Sequence, residues 1–178
     1  RWTYATLVAL LCDVPRIQRV LPQVLICNEA TVPAEALAGL RAGLPSNVRL
    51  LRERSAWNNA GLMLWLIRLI GLALAPFAAE FQAIFLFDAA KIHLSAAIYH
   101  ACRRANLLPV LIPSHTTWLL QPLDIRAFMP LKLFLQKRYQ ACRIRSAGGV
   151  VSIGDWVLCV CAAIRAVLEG RDWSAAFD

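Results

Sequence analysis

Two carboxylates stand where strand-like runs give out. Asp88 closes IFLFD, and Asp124 follows LLPVLIPSHTTWLLQPLD immediately ahead of a long helical stretch. Carboxylates at the mouth of a buried sheet are hard oxygen donors, and a pair of them suits a hard divalent cation. Other roles for the same residues remain open at this point: a helix cap for Asp88, and for Asp124 an N-cap or first-turn acid stabilised by the helix dipole. His93, five positions after Asp88, is placed to pack or hydrogen-bond beneath that carboxylate. Lys91 is placed to neutralise a phosphate or simply to be solvated.

The elements that must position these groups follow from apolar patterning. Ala83 to Phe87 is a continuous apolar run, which predicts a strand buried on both faces of an α/β sheet. Ser95 to Asn106 reads as a helix and Leu107 to Ile112 as the next strand, and this alternation predicts parallel pairing. Ligands of open parallel sheets gather outside the carboxyl ends of the strands, where both aspartates would lie. Upstream, Thr3 to Leu11 and Val20 to Cys27 predict a hairpin connected through Asp13, Val14 and Pro15. VPAEALAGLRAGLP predicts a helical turn or surface loop, and Val48 to Leu51 a short strand. Ser55 is expected to cap a helix from Ala56 to Ala75. A basic helix over 125–146 should end at Gly148 and Gly149, and a last apolar helix should span 153–169.

The two aspartate blocks together resemble the second half of the catalytic core of DDE-superfamily transposases, above all pogo-like and mariner-like ones and their domesticated relatives. The resemblance rests on Asp88 and His93 after an apolar strand, then Pro113, His115, Thr116, Thr117, Gln121, Pro122, Leu123, Asp124, Phe128 and Lys132. More faintly, LPQVLICNE, SAWNNAGLMLWL and DWVLCVCAAIRAVLEGRDWSAAF extend it over most of the chain. The resemblance implies an RNase H-like mixed sheet flanked by helices, with 1–178 as one partial catalytic domain: a hairpin and connection over 1–52, a core with both aspartates over 53–146, and a helical segment over 147–178. It implies that Asp88 and Asp124 are catalytic ligands of Mg2+ or Mn2+ for phosphodiester hydrolysis and DNA strand transfer, and that the whole protein binds DNA, can dimerise, and works in the nucleus of a eukaryote or otherwise inside the cell. The family's first carboxylate lies on a strand upstream of the residues matched by Thr3 to Leu11. The expectation is therefore a chain that lacks its first strand and is inactive alone. Asp13 and Glu29 match no family position for that missing acid.

Composition agrees with a polyanionic partner. The 178 residues hold 19 Lys and Arg against 11 Asp and Glu, for a net charge of +8 and a pI near 9.7. Arg126, Lys132, Lys137, Arg138, Arg143 and Arg145 follow Asp124, Arg103 and Arg104 precede it, and Arg49, Arg52 and Arg54 form a second group. Each is a candidate phosphate contact or a solvated helix charge. His115, Thr116, Thr117 and Gln121 either touch DNA phosphates or hold their own loop together by side-chain to backbone bonds. Trp57, Trp65 and Trp118 offer base stacking, with helical spacing favouring the core for the first two. The six cysteines lack zinc-site spacing and read as buried apolar residues of a reducing compartment. A hydrophobic fraction of 59% and mean hydropathy of +0.55 raise a membrane alternative, with Ala60 to Ala79 as its span. Arg68 near its centre argues for a buried amphipathic helix instead, lined by Leu62, Trp65, Leu66, Leu69, Ile70 and Ala73. No membrane and no small-molecule cofactor are expected. A non-catalytic DNA-binding or protein-interaction module is the rival reading.

Overall fold

Strand β1 (Ala5–Val8) runs antiparallel to β2 (Gln23–Asn28), and β2 runs parallel to β3 (Val48–Glu53), so β2 is the centre of a small mixed sheet. The computed structural model describes residues 5–40, 43–55 and 58–177, and the backbone but not the side chain of Trp118. Thr3, the expected helix start at Ala56, Trp57 and the Trp118 ring lie outside the described residues. The β1–β2 connection is longer than a tight turn and includes one helical turn, α1 (Pro15–Gln18), which Pro15 opens from a position where its missing N–H costs nothing.

Because side chains alternate across a strand, β2 feeds two cores. Leu25 and Cys27 join Val48 and Leu50 against the C-terminal helices, in a cluster that includes Ala127, Leu131, Val157, Ile164 and Leu168. Val24 and Ile26 face the other way, toward Met63, Leu66, Ile67, Ile70, Phe87, Ile98 and Leu107. Between β2 and β3 lies α2 (Ala34–Ala38), whose Leu37 reaches the first cluster.

The second cluster is built on α3 (Ala60–Leu74), α4 (Ala96–Arg104) and a two-stranded parallel sheet. Its strands are β4 (Ala83–Asp88) and β5 (Leu107–Ile112), with Ala83 opposite Leu107 and Asp88 opposite Ile112. α4 is the crossover that parallel neighbours require. Ser95 caps it, its hydroxyl accepting from the Ile98 amide. Ile98 is wholly buried at the centre of that crossover. Ile98→Ala should therefore cost about 3 kcal/mol, seen as a lower urea midpoint with an unchanged m-value.

Over the described residues the protein is thus mixed α/β, with one three-stranded mixed sheet and one parallel pair. Three expectations need correction. Asn59, not Ser55, caps α3, its Oδ1 accepting from the Leu62 amide at 3.0 Å. The buried face of α3 is Met63, Leu66, Ile67 and Ile70. Leu62, Trp65, Leu69 and Ala73 flank it half-buried, because a helix apolar nearly all round carries little information about which stripe meets the core. Finally, the strand buried on both faces is β2, whereas β4 and β5 leave Ile84 63% exposed, Leu108 46% and Val110 39%. An apolar run marks β4 as a strand but does not supply a second covering layer.

Among the described residues, the segment Ala60–Phe77 is long and apolar enough to cross a membrane, with mean hydropathy 1.9. Its inward stripe is occupied by the core described above, and Arg68 is exposed midway along it. Gly71 lets α3 and α4 approach closely: a methyl group there would stand 2.9 Å from the Ala105 Cβ.

Downstream of β5 come α5 (Thr117–Leu120), a π-helical turn over Leu123–Ala127, and the 18-residue α6 (Phe128–Arg145). Gly148 and Gly149, at φ +68° and +69°, turn the chain into α7 (Ile153–Ala163), which continues as a π-helical segment to Glu169. Left-handed backbone at two consecutive positions is the reason both are glycine.

Candidate metal centre

Asp88 is the last residue of β4, so its carboxylate emerges at the carboxyl end of the parallel pair. A tight 3-10 turn over Lys91–Leu94 then brings His93 back beneath it. The His93 Nδ1 lies 2.7 Å from Asp88 Oδ1 and 2.8 Å from the Asp88 carbonyl oxygen. Both partners are acceptors, so Nδ1 carries the hydrogen and donates to them. Asp88 Oδ1 also accepts weakly from the Ala90 amide at 3.4 Å. The imidazole packs on Phe87 with ring centroids 5.0 Å apart. Its side chain is 13% exposed against 43% for that of Asp88. The arrangement is a buried ring fixing one oxygen of a carboxylate whose other oxygen, among the described residues, makes no hydrogen bond or ion pair. The helix-cap alternative for Asp88 does not hold, since Ser95 performs that role.

The loop after β5 is held by its own backbone. Thr116 donates from Oγ1 to the Pro113 carbonyl at 2.8 Å and from its amide to the same oxygen at 3.2 Å. Its own carbonyl accepts from Leu119 and Leu120. His115 sits in the left-handed region at φ +67°. Of the two readings left open for this loop, self-bonding accounts for the Thr116 hydroxyl. Thr117 opens α5, and the Gln121 carbonyl accepts from the amides of Asp124 and Ile125. Asp124 falls in the first turn of the π-helical segment and is exposed, as is Arg126. That position matches the first-turn alternative, and such a turn favours a carboxylate without fixing where it reaches.

Asp88 and His93 are therefore brought together by direct contact. Among the described residues, however, no group of three or more His, Cys, Asp or Glu could hold a metal ion, so Asp124 does not join Asp88 and His93 in a closed cluster. The donor chemistry still fits a hydrated Mg2+, which binds through one or two carboxylates and keeps water or phosphate in its remaining positions. The other acids weighed for the site lie elsewhere. Glu29 faces Arg52 at 3.8 Å and Arg54 at 3.9 Å, and Asp13 is exposed in the β1–β2 connection.

The basic residues divide by role. Arg52 is a structural donor, bonding the carbonyls of Val32 and Glu29. Lys91 is exposed on its turn. On α6, Lys132, Lys137, Arg138, Arg143 and Arg145 are all exposed, and the helix contains no acid. Lys132 stands 5.9 Å from the Phe128 ring and Arg138 6.0 Å from that of Phe134, contacts that leave both charges at the surface.

Patterning did not anticipate a cavity of about 580 Å3 between the C-terminal halves of α3 and α4, lined by Arg68, Gly71, Phe77, Phe81, Arg104 and Ala105 among others. Its lining includes Ala83 and Asn106, at the end of the strand pair opposite Asp88. The only sequence signal for it is the run of small residues where the two helices meet.

No protein-family model matches the chain, and no curated protein and no solved structure is significantly similar to it.

Proposed function

We propose that the chain is part of an RNase H-like, DDE transposase-type core, in which Asp88 and Asp124 hold Mg2+ or Mn2+ and α6 lies along DNA. The observation that carries this reading is the Asp88 carboxylate, steadied by His93 at the carboxyl end of β4, beside the strand whose outgoing loop leads to Asp124. Support comes also from the mixed sheet followed by a parallel pair with a helical crossover, and from an acid-free helix of five cations starting just past Asp124. When bound, such cations supply an activated water or 3′-hydroxyl and stabilise the leaving oxygen of an in-line displacement. The chain's own contribution is to aim one carboxylate oxygen through His93, to present Asp124 from an exposed turn, and to neutralise phosphates along α6.

Two assays test this. The first is nicking of supercoiled DNA by the chain, and by a form extended upstream of Arg1, in Mg2+ and in EDTA. Nicking that persists in EDTA, or that no cation restores, defeats the catalytic part. The second is DNA affinity as a function of salt. Lys137→Glu combined with Arg143→Glu should flatten the log–log salt dependence by about 1 for each phosphate that is no longer neutralised. An unchanged slope removes α6 from the interface.

A second reading, a non-catalytic DNA-binding module, is favoured by the lack of a three-donor group among the described residues. It predicts salt-sensitive binding that survives Asp88→Asn and Asp124→Asn, with no nicking by either form.

A further inference from the structure

Cys142 on α6 and Cys159 on α7 bring their sulfurs to 3.4 Å across the helix pair that Gly148 and Gly149 connect. We infer that these two thiols form a redox site that takes a peroxide and closes to an intramolecular disulfide stapling α6 to α7. The sulfur separation exceeds a disulfide bond by roughly 1.4 Å, a gap that side-chain rotation at two facing helical positions can close.

The surroundings give the two sulfurs different parts. Cys142 is half-buried, and the Arg145 Nη2 lies 3.8 Å from its sulfur. Cys142 is therefore the sulfur a small oxidant reaches, and the guanidinium beside it is the donor that faces it. Cys159 is 4% exposed and sits in neither apolar cluster, its sulfur turned to Cys142 rather than to the core. Burial, and then the hydrogen bond with Cys142, push the Cys159 thiol up to about 11. It holds its proton until Cys142 has reacted. Cys161, two positions on, belongs to the core cluster and points away.

The chemistry balances in two steps. The Cys142 thiolate attacks one peroxide oxygen, the O–O bond breaks, and the departing hydroxide takes a proton to leave as water, giving a sulfenic acid. The Cys159 sulfur then attacks the Cys142 sulfur, the S–O bond breaks, and the Cys159 proton leaves with the hydroxyl as a second water. Two thiols and one peroxide become one disulfide and two waters.

The test treats the folded chain with stoichiometric hydrogen peroxide, blocks remaining thiols with N-ethylmaleimide and maps tryptic peptides. The expected product joins the peptide over 139–143 to the one over 146–165, is lost in dithiothreitol, and lowers the intact mass by two hydrogens. Since the second peptide carries both Cys159 and Cys161, fragmentation of the unmutated product assigns the sulfur without relying on a variant that could fail to fold. The link should also persist in Cys161→Ser and vanish in Cys142→Ser. Oxidation of Cys142 to sulfinic acid with Cys159 still open to alkylation would overturn the proposal, and so would a link to Cys161.

Discussion

Asp88→Asn is expected to lower Mn2+ affinity at least about 100-fold, because loss of even an outer-shell partner of a metal ligand commonly costs 10–100-fold and Asp88 is proposed as a ligand itself. The substitution is informative because it changes little else. Asparagine keeps an oxygen that accepts from His93 Nδ1 and the Ala90 amide, so stability should stay within about 1 kcal/mol. His93→Ala should fall between wild type and Asp88→Asn, since it frees the carboxylate to rotate without discharging it. Titration of Mn2+ by electron paramagnetic resonance reads all three, and the nicking assay should follow the same order wherever activity is present. Undiminished Mn2+ binding by Asp88→Asn would end the proposal that this carboxylate is a ligand.

The second large effect is on stability and lies at a place no motif marks. Gln23 is completely buried, its Oε1 accepting from the Leu10 amide and its Nε2 donating to the Leu10 carbonyl, both at 3.0 Å. Gln18, also buried, donates to the same carbonyl at 3.1 Å and accepts from the Cys12 amide at 2.7 Å. The chain leaves β1 at Val8 and loses its sheet partner there, and these two amides substitute for the missing ladder. Gln23→Leu leaves the Leu10 N–H unpaired inside the core, at a cost of about 2 kcal/mol. The carbonyl still has Gln18, so the double change to Leu at 18 and 23 should cost more than the sum of the singles by at least about 0.5 kcal/mol. Urea unfolding of the four proteins measures this directly. An additive cycle would mean that the two amides act independently.

The parts of this fold that could be read in the sequence are those governed by local rules. The strand Leu107–Ile112, the helix that begins at Ser95, the double-glycine turn and the placement of Asp88 at a strand end all depend on neighbours within a few residues. His93 beneath Asp88 belongs with them, because a five-residue interval leaves a strand-to-turn reversal little other geometry. Features set by distant partners were not legible. The stripe of α3 that meets the core depends on β2 and α4, so a helix apolar on most sides misled the phase. Gln18 and Gln23 look like ordinary surface residues until Leu10 is seen to need them. The contact of Cys142 with Cys159 depends on how α7 folds back after Gly149, and separation along the chain gives no hint of it. Asp124 is intermediate: its place in a helical first turn was foreseeable, but the direction it faces is decided by the path of the loop after β5.

The parallel pair β4–β5 carries one further consequence. Two strands alone do not persist in water, and among the described residues this pair has a helical layer on one side only, with Ile84, Leu108 and Val110 exposed on the other. The ribbon therefore survives only while α3 and α4 remain docked on it. Whatever loosens those helices also lets the Asp88 carboxylate drift, which makes the candidate site a reporter of the health of its own scaffold.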